Sequence, residues 1–403
     1  MTTWPQHNAS DAEWNDWRWQ MRHRVSDVAT LERYVRPTDA ERAAIEATAD
    51  VFRWTITPYY ASLMDPIDPA CPVRQHVVPQ AEETAPDIVG VVDPLDEVGH
   101  SPVKNLVHNY PDKVAFCVTS ECAVYCRYCL RKRMVGDADF MMRKDELREG
   151  LAYLRAHPEI RDVLLTGGDP LVFSDQNIDW LLSELRAIPH VEVVRLGSRL
   201  PVVNPMRITP ELCEILGRHH PVWLNTHFNH PKELTPEARQ ACERLADAGV
   251  PIGNQTVLLG GINDDAETMM ALCNGLVSMR VRPYYVYQAQ LIGGTAHLRT
   301  PIETGMEIMR QLRGHTSGFA VPTYVLDTPD GKVPLTRDYV LGRAGDHVVM
   351  ETTRGTLWAE PNPLPAGYEP PIALPAIEMP AGVRTVPTGA PRFVYGDTEG
   401  ELA

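Results

Sequence analysis

The chain has 403 residues, 44% of them hydrophobic and 23% charged, which allows one large domain with appendages or two to three smaller ones. A formal net charge of −15 disfavours nucleic acid as a partner, because such a surface repels phosphates. The opening MTTWPQHNAS lacks the basic start and apolar run of a secretory signal, and no run of about 18 apolar residues predicts a membrane span.

Taken in chain order, Ser10-x-x-Glu13 reads as a capping box. Trp14, Trp17, Met21 and Val25 follow at helical spacing and predict one amphipathic helix. A second helical stretch is expected over about 37–61, then an irregular wrap rich in Pro, Asp and Val over 62–104. Residues 1–105 are therefore assigned to an N-terminal helical region with its wrap. From there short apolar runs alternate with helical stretches. Strands are expected at 114–120, 162–168, 193–198, 222–228, 252–259 and 282–288, with a further one at 321–327. The helices between them lie near 143–156, 176–187, 209–219, 235–249, 265–280 and 301–313. Repeated strand–helix units imply parallel strands with right-handed crossovers. The fold class is α/β: about six units over 106–330 fit a partial (βα)6 parallel barrel or an open sheet, and in either case ligands sit at the carboxyl ends of the strands. Residues 331–403 are expected to form a loop carrying Lys332 and then a C-terminal extension, Pro-rich from about 362 and lying extended over a neighbouring surface or partly disordered.

Eight cysteines occur, and three of them, Cys122, Cys126 and Cys129, form C-x3-C-x2-C just after the strand at 114–120. The others are scattered through periodic segments, which suits a reducing cytosol, so the expected location is cytoplasmic. Thiolates are soft ligands for zinc or iron–sulfur clusters. Structural zinc takes four protein ligands, and no second cysteine pair follows here, so one metal position is left open. The spacing also matches one face of a helix carrying three core cysteines. The interleaved Tyr125, Arg127 and Tyr128 and the cations Arg131, Lys132 and Arg133 do not resemble a core segment.

This cysteine spacing after the first strand of a partial barrel resembles the radical S-adenosylmethionine (SAM) superfamily. The segments MDPIDPACPVR, CAVYCRYCLRKR, LTGGDPL, GSRLPVVNPMRIT, HPVWLNTHFNHP, RPYYVYQ and LRGHTSGFAVPTYVLD resemble, in order, the lysine 2,3-aminomutase family over all but about the last 35 residues. The resemblance implies that Cys122, Cys126 and Cys129 hold a 4Fe-4S cluster whose open iron binds SAM. It implies that Gly167, Gly168 and Asp169 lie along the methionine part of SAM, and that His227, Asn229 and Gln255 line the same pocket. Each of these, met alone, reads as a strand-end turn or a structural hydrogen-bonder. Lys332, after the Asp-Gly turn of DTPDGKVP, matches the family's pyridoxal 5′-phosphate (PLP) lysine; in isolation it reads as a solvated turn lysine. Tyr110 and Lys113 fall where the family contacts PLP. The implied reaction moves an α-amino group from C2 to C3 of a free amino acid, and SAM is regenerated. An electron donor such as flavodoxin or ferredoxin and a homo-oligomeric state are implied in the same way.

Arg131 occupies the family's carboxylate-binding position, and a guanidinium suits a carboxylate as a bidentate fork. Lys132 and Arg133 read as a surface basic run. At the other end of the substrate, lysine enzymes of the family flank the distal ammonium with two aspartates. Asp327 preserves one, and Gln290 replaces the other. One carboxylate plus an amide oxygen suits a guanidinium, so a basic amino acid is expected, L-arginine slightly ahead of L-lysine. Asp330 is a further carboxylate near this end, with an exposed turn as its plainer role. Three departures stand out: the loop before Lys332 is shorter than the family's, HRYPDR reads HNYPDK with Asn109 and Lys113 in place of arginines, and no cysteine follows Cys273. Two rivals are a shorter relative that isomerises lysine on the way to a translation factor, and a non-catalytic cluster-binding homologue.

Overall fold

The computed structural model describes residues 9–49, 52–84 and 90–386. Its centre is a nine-stranded sheet in strict sequence order. The strands are β1 (Leu106–Tyr110), β2 (Lys113–Thr119), β3 (Asp162–Gly167), β4 (Val193–Gly197), β5 (Val222–Thr226), β6 (Ile252–Leu258), β7 (Val281–Gln288), β8 (Thr323–Thr328) and β9 (Gly331–Pro334). Neighbours from β2 to β8 pair in parallel, while β1 and β9 pair antiparallel at the two ends. Helices Lys144–Ala156, Asp175–Arg186, Pro210–Arg218, Pro236–Asp247, Ala266–Ser278 and Ile302–Leu312 fill the six crossovers, giving the expected (βα)6 units with β8 as a closing parallel strand. Short polar caps decide where four of these helices start. Ser174, Thr209, Thr235 and Asp265 each accept from the backbone N–H three residues on.

The sheet curls until its ends meet. The Lys332 N–H on β9 donates to Tyr110 Oη at the end of β1 (2.9 Å), and Asn109 Nδ2 donates to the Pro329 carbonyl (2.9 Å). The two edges are thus joined through side chains rather than by a ladder, and the result is a nearly closed partial barrel.

Three expectations change. The helix begun by the Ser10–Glu13 capping box ends at Trp14, because Asp16 caps a new helix, Trp17–Arg22, by accepting from the Arg18 N–H. The stretch expected helical over 37–61 divides into Asp39–Thr48, capped by Thr38, and Pro58–Ala61, capped by Thr57. Between them Ile56 pairs with Val25 as a β-bridge. Finally, Lys332 stands on strand β9 and not in an irregular loop, and a second sheet follows it. That sheet contains β10 (Val340–Ala344), β11 (His347–Glu351), β12 (Leu357–Pro361) and β13 (Arg384–Thr385). The Pro-rich segment runs extended, touching β10 at the Arg343–Ala376 bridge before β13 joins β12 in parallel.

Candidate active site

The carboxyl ends of the strands open into one cavity of about 430 Å³. Its wall takes side chains from β1 through to β9. The cysteine loop forms one side. Residues 121–130 have no helical turns of the α kind, so the reading of three cysteines on a helical face does not hold. Cys122, Cys126 and Cys129 are half-buried, unpaired in any disulfide, and all line the cavity. Burial pushes the Cys129 thiol up to about 11, with the neighbouring Cys126 adding to it. Among the described residues no three His, Cys, Asp or Glu side chains converge on a single metal ion. Three thiols spread along a cavity wall suit a cluster of several irons better than one zinc ion.

Two glycines hold this loop against the barrel. Gly167 has φ +113°, a conformation other residues rarely adopt, and its N-terminal neighbour β2 lies so close that a Cβ would sit 2.5 Å from the Thr119 carbonyl oxygen. A Cβ on Gly168 would lie 2.3 Å from the Glu121 carbonyl oxygen. The Gly168 and Asp169 N–H groups donate to the carbonyls of Thr119 (2.6 Å) and Glu121 (2.8 Å). The Gly-Gly-Asp segment therefore both lines the cavity and braces the backbone entering the cysteine loop. Asp169 accepts from Ser198 Oγ (3.0 Å) and the Arg199 N–H (2.8 Å), while burial pushes its carboxyl up to about 6.

The cations after Cys129 correct the expectation of a surface run. Lys132 and Arg133 are buried, and each has a buried carboxylate partner. Glu83 accepts from Arg127 (2.8 and 2.5 Å) and Lys132 (3.0 Å), and Glu97 accepts from Arg131 (2.7 Å) and Arg133 (2.7 Å). Burying these charges is tolerable only because the pairs form. Arg131 lines the cavity, but its Nε and Nη2 both serve Glu97. Its Nη1, 3.4 Å from Thr166 Oγ1, is the nitrogen left to face a ligand, so the expected bidentate fork is spent on Glu97.

At the opposite end, Lys332 Nζ pairs with Asp327 Oδ1 at 2.7 Å. Burial alone would lower its amine, but Asp327, with Tyr287 and Tyr110 near it, holds it well above the ordinary lysine value. Lys113 Nζ lies 4.1 Å over the Tyr110 ring. Its amine is lowered by burial, and by the charges of Arg195 and Lys332. Lys113, Arg195 and Lys332 thus bring three cations to one wall of the cavity, which suits a phosphate-bearing aldehyde that bonds a lysine. Gln290 Nε2 donates to the Asp327 carbonyl (2.8 Å), which leaves the amide oxygen as the end able to receive a donor.

His227 and Gln255 line the cavity as expected. His227 Nε2 meets Tyr128 Oη at 3.0 Å, and burial lowers the ring to about 3, so it is neutral. Asn229 is not in the wall. Its Oδ1 accepts from the Val257 N–H (2.9 Å) and ties β5 to β6 from behind. Asp330 also turns away. It is buried, not exposed, and accepts from Arg384 (2.7 Å) of β13 and from Thr356 (2.7 Å), just before β12. Three residues that the sequence did not single out belong to the site: Glu97, Arg195 and Arg199. The signal for Arg199 was its place directly after the Gly-Ser at the end of β4, where every other strand contributes a wall residue.

Residues 116–273 match the profile of the radical SAM superfamily, and residues 309–373 match that of lysine-2,3-aminomutase. An L-lysine 2,3-aminomutase of Fusobacterium nucleatum subsp. nucleatum is 48% identical over 365 residues, covering 90% of this chain and 86% of the relative. The chain belongs to the lysine 2,3-aminomutase family. Another such relative, an L-lysine 2,3-aminomutase of Clostridium subterminale, is 49% identical over 88% of this chain and 86% of its own. A glutamate 2,3-aminomutase of Clostridioides difficile is 44% identical over 86% of this chain and 83% of its own. As a member of this family the protein is a radical SAM amino-acid 2,3-aminomutase, an isomerase, and membership implies a 4Fe-4S cluster and SAM, with PLP following from the aminomutase branch. Among the described residues no helix is long and apolar enough to cross a membrane.

Proposed function

We propose that this aminomutase acts on a free basic L-amino acid, with L-lysine as its substrate, and that Lys332 carries PLP while Cys122, Cys126 and Cys129 hold the cluster. The observation that carries the charge preference is Asp327: a cavity carboxylate beside Gln290, which offers an oxygen and no cation. The preponderance of lysine enzymes among the similar proteins moves the choice from arginine, which Gln290 alone favoured, to lysine.

When bound, the cluster with SAM supplies a hydrogen-abstracting radical, and PLP supplies an aldehyde to hold the migrating nitrogen. The chain's own residues orient the substrate between two charged ends. Arg131 meets the carboxylate through Nη1, held in place by Glu97. Asp327 and the Gln290 oxygen receive the distal cation. Lys332 holds its proton at Nζ against Asp327 until the site is loaded. Tyr285 and Tyr287, 5.9 and 5.2 Å from Lys332 Nζ by ring centroid, line the cavity wall beside that amine.

A specific observation keeps L-arginine as the second reading: one carboxylate and one amide oxygen match a planar five-donor group. The test is anaerobic reconstitution with iron, sulfide and PLP, then SAM and a reductant, with lysine and arginine compared for β-amino acid formation. Faster turnover of arginine would overturn the lysine assignment. Gln290→Asp is expected to lower KM for lysine and leave that for arginine less changed.

A further inference from the structure

Among the described residues, Arg199 is the guanidinium that donates to the sulfur of a cluster cysteine, whereas Arg24 reaches only the Cys122 carbonyl. Arg199 is 9% exposed, and every nitrogen is engaged. Nη1 donates to Cys126 Sγ (2.7 Å) and Nε to the His227 carbonyl (3.2 Å). Nη2 donates to Glu233 Oε1 (2.8 Å) and Tyr60 Oη (2.9 Å). Tyr60 also donates to Glu233 (2.7 Å) and meets His76 Nδ1 at 3.1 Å. Its carboxylate partner is held as well: Glu233 Oε2 accepts from the N–H groups of Asn229 (2.6 Å) and His230 (2.9 Å). The guanidinium therefore cannot swing toward a ligand. Burial would raise Glu233, but Arg199 and its other partners keep it ionised at about 2, and burial keeps His76 neutral at about 3. The buried group is a fixed dipole. Its positive end touches the sulfur, and its negative end is bound through the other terminal nitrogen.

We propose that Arg199 is a redox-positioning residue, whose N–H to the Cys126 sulfur and whose charge raise the reduction potential of the cluster. The inference rests on the cluster being held by Cys126. Hydrogen bonds to cluster sulfurs and nearby charge are two of the levers that set such potentials. The reduced cluster carries one more negative charge than the oxidised one, so an adjacent cation stabilises the reduced form. A low-potential one-electron donor then has less of a gap to cross before SAM can be cleaved. Glu233 opposes this effect and sets its size, while Tyr60 fixes the distance. A purely structural Arg199 would join the N-terminal helices to the barrel and leave the potential unmoved.

The test is an EPR-monitored redox titration of the reconstituted protein without amino acid, with iron and sulfide content measured on each sample. In Arg199→Met the midpoint is expected to fall by about the 59 mV that corresponds to a tenfold lower reduced-to-oxidised ratio in a one-electron couple. In Glu233→Gln it is expected to rise, because the negative end of the dipole is gone. The opposite signs separate tuning from damage. Unchanged midpoints with native iron content would overturn the proposal. Should Arg199→Met fail to load iron, Glu233→Gln decides alone: a rise supports the proposal, and no change or a fall overturns it. A native protein that loads iron yet shows no 4Fe-4S signal would overturn the cluster assignment itself, which the iron and sulfide analysis of Cys126→Ala identifies separately.

Discussion

Replacing Glu97 by Gln removes the one negative charge shared by Arg131 and Arg133. Glu97 is 5% exposed and accepts from Arg131 Nε (3.1 Å), Arg131 Nη2 (2.7 Å) and Arg133 Nη2 (2.7 Å). Burial works to raise its carboxyl, but the two guanidinium groups more than offset this and hold it at about 2 against an ordinary 4.5. At 1.36 kcal/mol per pKa unit that difference is worth roughly 3 kcal/mol of folding stability. Breaking a buried ion pair by removing one partner costs about 3–5 kcal/mol, so two independent routes agree. The sign follows from a folded pKa that is depressed: the contribution is complete above the unfolded value near 4.5 and is lost as pH falls toward about 2. Urea denaturation of the cofactor-free protein, followed anaerobically at pH 7 and at pH 3, measures this. Glu97→Gln is expected to lose about 3 kcal/mol at pH 7, and the gap to the native chain should narrow at pH 3. Glu192→Gln, which removes a solvent-exposed pair with Arg161, should cost far less, because water and salt screen that pair. A Glu97→Gln cost below about 1 kcal/mol, or a gap that stays constant to pH 3, would refute the claim that Glu97 clamps the two cations.

Other expectations are quicker to check. Gly168→Ala puts a methyl 2.3 Å from the Glu121 carbonyl, so the cysteine loop must shift; about 1–3 kcal/mol of stability and part of the iron content should be lost, by denaturation and iron analysis. Asp327→Asn leaves burial to act on Lys332 unopposed by its largest counter-charge, so PLP uptake, followed by absorbance, should reach half its maximal rate at a lower pH; an unchanged pH profile would refute that pairing. Lys332→Ala should abolish the PLP–imine absorbance while the cluster signal persists. Arg384→Ala should cost no more than about 1 kcal/mol, since the Arg384 side chain is 53% exposed, but should expose the segment after Pro361 to limited proteolysis.

Much of the barrel was legible because its signals are local. Apolar runs and helical periodicity mark each unit within a few residues, and the six crossovers appear where periodicity placed them. The N-terminal helices were less so. Asp16 and Thr57–Pro58 are start signals that cut across longer apolar patterns, and a pattern does not tell which start prevails. In the second sheet β10 to β12 form a local meander of strands as long as β4 and β5 that the sequence reading passed over, while β13 stayed hidden because it is two residues long, lies in the Pro-rich tail and pairs with β12 across that tail.

By itself the sequence determined the fold class, the cysteine loop, the lysine on its Asp-Gly turn, and through them the reaction family, because these depend on residue type and spacing along one segment. Only the tertiary structure decided which charges meet. It buried Lys132 and Arg133 against Glu83 and Glu97, drew Asp330 to Arg384 and away from the cavity, set Asn229 behind the wall, and brought Arg199 onto Cys126. A charge in a low-dielectric interior is stable only beside its partner, and those partners lie up to 73 positions away along the chain.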